Sequence, residues 1–394
     1  MYVDLLASQT DFLLIVRATR ERTLVGRTVE QLSRAIDETS RGDELKPPKR
    51  SVSVKRSNRK IALVTGGAGF IGSNLCERLL CEGAHVICLD NLQTGRTDNL
   101  RSMENEPAFE FVEHDVIDDL PRWLRGGRTK FTHLYHLACA ASPPHYQADP
   151  EHTMMTSVVG TRNLLRLAEE TKARLLLTST SEVYGDPEVH PQREDYRGSV
   201  SCTGPRACYD EGKRAAETLA FDFARAKRAD VRVARLFNTY GPRMRCDDGR
   251  VVSNVICQAL SGDDITIYGD GSQTRSFCFV DDMVDALMRL MASERAVGLP
   301  VNLGNPNELE VRELVDLIVA MTGTSSRIVF RPLPVDDPRR RKPEIARAIE
   351  LLKWRPRIAL EQGLEATIAW FDDERNRISS PMYDDAPAIM TAAE

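Results

Sequence analysis

One stretch of the sequence decides the fold, and it reads Ile61-Ala62-Leu63-Val64-Thr65-Gly66-Gly67-Ala68-Gly69-Phe70-Ile71-Gly72. Its first five residues are apolar or β-branched and predict a buried β-strand, and its glycines permit a tight turn. A helical pattern follows over residues 73–80. In this order of strand, turn and helix, a G-x-G-x-x-G sequence brings the free N–H groups of a helix N-terminus to the pyrophosphate of a dinucleotide.

A second signal for a dinucleotide lies at the end of the next predicted strand. Asp90 ends that strand, 18 residues after Gly72. A carboxylate in this place hydrogen-bonds the hydroxyl groups of the adenosine ribose and would repel a 2′-phosphate. The sequence therefore favours NAD over NADP as the cofactor.

Strands and helices alternate outward from this stretch. The predicted strands are residues 61–65, 85–90, 109–114, 133–137, 174–179 and 231–237. Several are apolar along nearly their whole length, as parallel strands covered on both faces are. The pattern predicts an α/β fold with a Rossmann-type, doubly wound parallel sheet. The more mixed sequence after Phe237 predicts a smaller C-terminal substrate-binding domain with helices at residues 281–291, 311–321 and 360–371.

The composition of the 394 residues is that of a globular protein, with 42% hydrophobic and 28% charged residues. A net charge of −5 gives no basic field for a nucleic acid. No apolar run approaches the roughly 18–20 residues that a membrane helix needs. The nine cysteines include no C-x-x-C pair and predict reduced thiols rather than a disulfide framework or a metal site. We expect a soluble cytoplasmic protein without a nucleic-acid partner.

Charge and pattern divide the chain into regions. Residues 1–60 carry 13 basic and 8 acidic side chains, which leaves the remainder at −10. An amphipathic helix around residues 25–36 and a basic linker are predicted there. The predicted regions are an N-terminal extension over 1–58, an NAD-binding domain over 59–236, a mainly substrate-binding domain over 237–372 with segments that return to the sheet, and a tail over 373–394.

Tyr209 and Lys213 are the candidates for acid–base catalysis. They are four residues apart in a segment that is predicted to be helical, so they lie on one face. A lysine ammonium beside a phenol favours the phenolate and lowers the tyrosine pKa from its usual ~10. Such a phenolate can take the proton of a sugar hydroxyl while hydride leaves the carbon. His133 and His136 fall on a predicted buried strand, so histidine-based and metal chemistry are not expected.

The glycine turn, the acidic residue and the Tyr–Lys pair together resemble the extended short-chain dehydrogenase/reductase family, many of whose members act on nucleotide sugars. The resemblance covers about residues 59–372 and is most specific for the UDP-glucuronate decarboxylases within that family. It is carried by residues 179–192, 204–214, 237–244, 248–254, 271–277 and 341–343. Met155 and Ser157 depart from the lysine and asparagine that are common in the family.

The resemblance implies a reaction and a role for several residues. UDP-glucuronate is oxidised at C4 to a 4-keto intermediate, loses its carboxylate as CO₂, and is reduced again at C4 to UDP-xylose, with NAD regenerated. Tyr209 is then the base, Lys213 tunes it and holds the nicotinamide ribose, and Thr180 hydrogen-bonds the reacting hydroxyl. Glu182 is implied to take part in decarboxylation, and Arg341 to lie near the leaving carboxylate.

The fingerprint and the resemblance also predict the binding residues. The expected NAD-binding residues are Gly66, Gly69, Phe70, Ile71, Gly72, Asp90, Asn91, Thr94, Gly95, Asp115, Val116, Leu137, Thr156, Ser179, Tyr209 and Lys213. The expected substrate-binding residues are Asn163, Arg206, Asn238, Thr239, Arg250 and Arg275. A homodimer through the helices near 150–171 and 206–227 is implied as well.

Three alternatives stay open at this point. A UDP-glucuronate 4-epimerase would share the oxidation but keep the carboxylate, and would not need Glu182 and Arg341 in these roles. A nucleotide-sugar 4,6-dehydratase would carry an aspartate where this chain has Ser181. A non-catalytic NAD-sensing or scaffold protein would have no need of Thr180, Tyr209 and Lys213 together.

Overall fold

The structure is a computed structural model that describes residues 59–125, 129–333 and 340–378. Its strands are β1 (Ile61–Thr65), β2 (His85–Asp90), β3 (Phe109–Glu113), β4 (His133–His136), β5 (Arg174–Thr180), β6 (Val231–Leu236), β7 (Thr239–Tyr240), β8 (Ile265–Tyr268), β9 (Thr274–Ser276), β10 (Cys278–Phe279), β11 (Pro300–Leu303), β12 (Glu308–Glu310), β13 (Ile328–Arg331) and β14 (Arg340–Arg341). Its α-helices are α1 (Phe70–Cys81), α2 (Pro143–Ala148), α3 (Pro150–Met155), α4 (Thr161–Thr171), α5 (Ala207–Arg225), α6 (Val251–Ser261), α7 (Val280–Ala292), α8 (Val311–Thr322), α9 (Ala346–Leu352) and α10 (Leu360–Ile378).

The largest sheet has the strand order β11-β6-β5-β4-β1-β2-β3. Every neighbouring pair in it is parallel. The chain leaves β1 in one direction towards β3 and then returns to continue from β4 in the other. This confirms the doubly wound α/β fold, and the change of direction beside β1 creates a crevice at the carboxyl edge of the sheet.

Both faces of the sheet are buried, as the apolar strands predict. On β1, Leu63 belongs to the hydrophobic core on one face and Val64 to the core on the other. Helices α1 and α7 pack on the Val64 face, and α4 and α5 pack on the Leu63 face. This three-layer packing fixes where each strand ends, and therefore where the polar residues that follow it project.

The six strands predicted for the sheet are confirmed to within one residue at each end. The seventh strand, β11, was not predicted as a strand because it is short and contains Pro300 and Asn302. Asn302 is buried, donates hydrogen bonds to the carbonyls of Gln192 and Glu344, and accepts one from the Tyr184 hydroxyl. The polar side chain of Asn302 thus connects this edge strand to three other segments. Contacts of this kind leave no local pattern in the sequence.

A smaller sheet carries part of the site. In it, β9 lies between β12, which is antiparallel, and β14, which is parallel. The register pairs Arg341 of β14 with Arg275 of β9. Register partners on adjacent strands project to the same face of a sheet. The pairing therefore brings two cations that are distant in sequence to one side of this sheet.

Helix α10 continues to Ile378, past the boundary expected at residue 372, which stays a prediction. Its last part is held by Glu374, which is buried and forms an ion pair with Arg96 at 2.5 Å. The extension predicted over residues 1–58, and the tail beyond residue 378, lie outside the described residues. The division at 236/237 stays a prediction; the described residues from 59 to 378 group as one compact unit. Among the described helices, none is long and apolar enough to cross a membrane.

The expectation of reduced thiols is wrong for one pair of cysteines. Cys246 and Cys257 form a disulfide with a Cα–Cα distance of 5.8 Å. It connects the loop before α6 to the body of that helix. The two residues are eleven positions apart, which is no known motif spacing, and only the turn of the loop back onto the helix brings them together.

We predict that this disulfide is visible as two missing thiols. Protein denatured without a reductant should titrate with a thiol reagent as seven cysteines, because seven are free in the structure. After reduction the count should rise to the full nine. A count of nine without reduction would contradict the disulfide.

Candidate active site

A cavity of about 610 Å³ lies at the carboxyl edge of the large sheet. Residues that end or follow the strands β1 to β6 line one part of it. Residues from α2, α3, α5, α6, β8, β9 and β14 line other parts. The volume is within the range of about 300–1,000 Å³ that is usual for small-molecule sites. Its position is that of the nucleotide crevice in doubly wound sheets.

The glycine turn forms one wall of the cavity and has room for nothing larger than hydrogen. Gly66 has φ +71°, and a Cβ there would lie 2.7 Å from the backbone nitrogen of Ala138. A Cβ on Gly72 would lie 2.0 Å from the Gly66 carbonyl oxygen. Helix α1 begins at this turn with Gly69 as its N-cap and no side-chain cap. Its first N–H groups are thus left for a ligand, and a pyrophosphate fits that requirement.

Asp90 supports the turn as well as facing the cavity. Its two carboxylate oxygens accept hydrogen bonds from the backbone N–H groups of Ala68 at 3.0 Å and Leu92 at 2.8 Å. Burial raises the pKa of Asp90, although the backbone donors favour its charged form. Gly95, which was predicted to bind NAD, does not line the cavity; its Cβ position would be 2.7 Å from Oδ1 of Asp90, so it packs against that carboxylate instead.

Asp115 is held by three donors at the same end of the cavity. It accepts hydrogen bonds from Asn91 at 2.6 Å, from the N–H of Ile117 at 3.0 Å, and from His152 at 2.7 Å. Burial alone would raise its pKa, but these hydrogen bonds lower the pKa of Asp115 below its ordinary value. His152 also lines the cavity and was missed from the sequence, because a lone histidine in a helix carries no pattern.

Most of the predicted binding residues line this one cavity. Those for NAD are Gly66, Gly69, Phe70, Ile71, Gly72, Asp90, Asn91, Thr94, Asp115, Val116, Leu137, Thr156, Ser179, Tyr209 and Lys213. Those for the substrate are Arg206, Asn238, Thr239, Arg250 and Arg275. Asn163 is not among the lining residues, and its predicted substrate contact stays a prediction. Its amide donates to the carbonyls of Val116, Ile117 and Asp118 and so holds the loop after β3 in place.

The Tyr–Lys pair lies on the first turns of α5, against the end of β5. Tyr209 is buried, shares a hydrogen bond with Thr180, and stacks on Tyr146 with ring centroids 5.1 Å apart. Nζ of Lys213 lies 5.9 Å from the Tyr209 ring centroid and donates to the carbonyl of Thr178 at 3.0 Å. Tyr209 and Lys213 therefore lie on one face of a helix, as their spacing predicts.

The predicted direction of the tyrosine pKa is wrong for the protein alone. Burial, with Cys139 and Glu182 nearby, raises the pKa of Tyr209 well above 10, and the hydrogen bond from Thr180 and the Arg250 charge only partly oppose this. The Lys213 ammonium faces a backbone carbonyl instead. It also acts, with burial, on His136, whose pKa falls to about 3 and which is therefore neutral. That histidine bonds the Thr65 hydroxyl at 2.8 Å, as a structural residue does.

A buried group of charges lies beside Tyr209. One oxygen of Glu182, Oε1, accepts a hydrogen bond from Arg206 and another from Arg341, each at 3.2 Å. All three side chains line the cavity and are almost completely buried. Burial alone would raise the pKa of Glu182, but the two guanidinium groups lower it well below the ordinary value. Glu182 is therefore ionised, and two cations share its single negative charge.

Asp210 completes this group and was missed from the sequence. It follows Tyr209, is buried, and contacts the carboxylate of Glu182. Burial and the neighbouring Glu182 charge raise the pKa of Asp210 to about 8. An acidic residue in the first turn of a helix is common for reasons of stability alone, so its position gave no signal of a special role.

Arg250 and Arg275 also line the cavity and form what we call its basic end, which suits a diphosphate. Arg250, at the start of α6, forms an ion pair with Asp248 at 3.1 Å, and Arg275 lies in the register position beside Arg341. Arginine binds phosphate oxygens through a planar fork of donors. Among the residues that the structure describes, no group of three or more His, Cys, Asp or Glu side chains is placed to hold a metal ion.

The chain belongs to the NAD dependent epimerase/dehydratase family, whose sequence profile matches residues 62–304. It is 50% identical to UDP-glucuronic acid decarboxylase 4 of Arabidopsis thaliana over 332 residues, which are 84% of this chain and 72% of that one. It is 48% identical to UDP-glucuronic acid decarboxylase 1 of Danio rerio over 341 residues, 86% of this chain and 79% of that one.

A solved structure shows the same fold around a nucleotide sugar. The UDP-glucuronic acid 4-epimerase of Bacillus cereus, in complex with UDP-glucuronic acid and NAD, superposes with a TM-score of 0.73 at 27% identity. The match covers 80% of this chain and 99% of the epimerase. The family and this fold confirm NAD as the cofactor of the chain.

We predict that Gly72→Ala abolishes NAD binding, because the added methyl group would collide with the backbone of the phosphate-binding turn. Calorimetric titration with NAD should show at least a tenfold loss of affinity. Gly83→Ala, at the other end of α1, meets no atom within 4 Å and has φ +80°. This control should cost about 1 kcal/mol of stability and keep its NAD affinity. Unchanged NAD affinity in Gly72→Ala would contradict the assignment of the turn.

Proposed function

We propose that the chain is a UDP-glucuronate decarboxylase that produces UDP-xylose and CO₂ with bound NAD. The observation that carries the proposal is the pair of arginines, Arg206 and Arg341, that share the one charge of Glu182 in the wall of the cavity. This arrangement leaves positive charge in a dry site beside the candidate base. Two relatives at 48–50% identity are named UDP-glucuronic acid decarboxylases.

The first step falls to the residues at the end of β5 and the start of α5. Thr180 and Tyr209 share a hydrogen bond and together receive the C4 hydroxyl. Tyr209 takes its proton as the carbon is oxidised. When bound, NAD supplies the hydride acceptor for this oxidation and the donor for the later reduction, and its nicotinium charge favours the phenolate that burial alone disfavours.

Loss of CO₂ then depends on the buried charges. The C4 ketone makes the substrate a β-keto acid, so the electrons of the breaking C5–C6 bond are delocalised towards O4. The guanidinium groups of Arg206 and Arg341 orient the carboxylate before it leaves and stabilise negative charge afterwards. Because the site is buried, water does not compete for the carboxylate, and electrostatic interactions act at a low dielectric constant.

The remaining steps restore the site. C5 must gain one proton, since the reaction as a whole consumes one proton for each CO₂ released. Glu182 faces the cavity but is ionised, so it can pass this proton to C5 only after taking it up from solvent. Tyr209 returns to O4 the proton that it took in the first step, so the phenol ends the cycle as it began.

Recognition of the nucleotide end is assigned to the basic end of the cavity. Arg250 and Arg275 are proposed to bind the diphosphate, with Asn238 and Thr239 of the loop after β6 beside them. The glycine turn, Asp90 and Asp115 are proposed to hold NAD. The homodimer and the cytoplasmic location that were expected from the sequence remain part of this proposal.

The proposal is tested by incubating the purified protein with UDP-glucuronate labelled with ¹³C at C6 and with a trace of NAD. We expect labelled CO₂ and UDP-xylose in equal amounts, without net consumption of NAD. Formation of UDP-galacturonate with the label retained would overturn the proposal in favour of a 4-epimerase. Binding of NAD with no change in the sugar would favour a non-catalytic protein.

We predict that Arg341→Ala lowers kcat for CO₂ release by about 10²–10³-fold, the usual cost of removing one charge-stabilising donor. Its NAD affinity should stay at the wild-type value, because Arg341 is not placed at the glycine turn. Arg340→Ala is the matched control, since Arg340 is the preceding residue of β14 and its side chain is exposed. Equal losses in the two variants would show that the charge of the strand, and not the position of Arg341, matters.

A further inference from the structure

Two carboxyl groups of different segments meet behind the wall of the cavity. Glu182 lines the cavity, whereas Asp210 does not and lies behind it. The two carboxyl groups are in contact, and both are buried. Each keeps one buried oxygen, Oε2 of Glu182 and Oδ1 of Asp210, for which the described residues offer no N–H or hydroxyl donor.

A proton between the carboxyl groups explains this contact. Two carboxylates have no hydrogen to place between them, so a buried contact between two carboxyl groups requires that one be a carboxylic acid. Like charges in one dry site also disfavour double ionisation. Glu182 receives the hydrogen bonds of both arginines, so it is the ionised member. Asp210 is therefore the member that keeps the proton.

The proton on Asp210 determines the net charge of this group of side chains. With Asp210 neutral, the two arginines and Glu182 sum to one net positive charge, which the carboxylate of a bound hexuronate would neutralise. With Asp210 ionised, the same four side chains sum to zero, and a bound carboxylate would leave the buried site with an excess negative charge. Such an excess is costly away from water.

We propose that Asp210 is a positioning residue whose bound proton directs Glu182 towards the arginines and keeps the site positively charged for the carboxylate of the sugar. The inference rests on the proposed function, because it takes UDP-glucuronate as the ligand. It adds to that function a residue, Asp210, that does not contact the substrate. Through its proton, Asp210 makes the site selective for a negatively charged group.

The neighbours of Asp210 identify it as the group that titrates. The titratable and charged side chains that interact with it are Glu182, Arg206, Arg341, Tyr146 and Cys208, and Tyr209 is adjacent to it in the chain. Burial raises the pKa of Tyr146 and Cys208 as well as that of Tyr209. A guanidinium group in general does not lose its proton in this pH range. Asp210, with a pKa raised to about 8 by burial, is the group of this cluster that ionises between pH 7 and 9.5.

The test measures the affinity for UDP-glucuronate as a function of pH. Tyr209→Phe, loaded with NAD, is used as the parent because it lacks the base and does not turn the ligand over. Its Kd should rise above about pH 8 and approach a tenfold rise per pH unit as Asp210 ionises. In Tyr209→Phe/Asp210→Asn, the Kd should remain flat to pH 9.5, because the amide donates to Glu182 and cannot ionise.

Two controls separate this role from a general effect on structure. Asp222→Asn removes a carboxylate from the exposed part of the same helix and should keep the rise of Kd seen in the parent. UDP-glucose, which lacks the carboxylate, should bind without the rise in any variant. An Asp210→Asn profile parallel to that of the parent, or a flat profile in the parent, would overturn the inference.

A failure of the proposed function gives a different result. Wild-type protein that releases no CO₂, while the parent shows the rise in Kd and the Asp210→Asn variant does not, would overturn decarboxylation and support the carboxylate site. CO₂ release by the wild type together with parallel profiles would support decarboxylation and overturn the role of Asp210.

Discussion

The arrangement of the site depends on one buried carboxylate, that of Glu182. It follows β5, accepts a hydrogen bond from Arg206 at the start of α5, and accepts another from Arg341 in β14. These three segments are far apart in sequence. A buried ion pair is stable only when its partners are well placed, because the cost of removing the charges from water must be offset by their interactions. The contact thus requires the sheet, the helix and the C-terminal segment to meet in one relative position.

That position brings the reacting groups together. Since Arg206 precedes α5 directly, fixing it also fixes the first turn of the helix, where Tyr209 shares a hydrogen bond with Thr180. On the other side, β14 pairs with β9 and so carries Arg275 to the basic end of the cavity. One set of charges in this way links the base, the carboxylate site and the diphosphate site. The same set gives the cavity its positive charge in a chain whose net charge is −5.

The parts of this site that depend on residues close together in the sequence could be predicted from it. The glycine turn, Asp90, and the spacing of Tyr209 and Lys213 each depend on residues within one strand, turn or helix. The resemblance supplied Glu182 and Arg341, and the structure brings both to the cavity. Local pattern does not reveal contacts between distant segments. It therefore did not predict the contact of Asp210 with Glu182 or the disulfide between Cys246 and Cys257.

Contacts between segments explain where the structure differs from local pattern. Asn163 and Gly95 were expected at the cavity, but Asn163 holds the loop after β3 and Gly95 packs on Asp90. The contact of Asp210 with Glu182 joins α5 to the end of β5, and the pairing of Cys246 with Cys257 depends on how a loop turns. The tyrosine pKa was predicted from one neighbour, whereas the desolvation of a buried phenol is a property of the whole fold.

The account is tested most directly by a solved structure of Tyr209→Phe with NAD and UDP-glucuronate bound. It predicts that the oxygens of the sugar carboxylate lie within hydrogen-bond distance, about 2.7–3.2 Å, of the guanidinium groups of Arg206 or Arg341, with C4 towards residue 209 and Thr180. A carboxylate that points to solvent, with Glu182 and the two arginines unchanged behind it, would contradict the account.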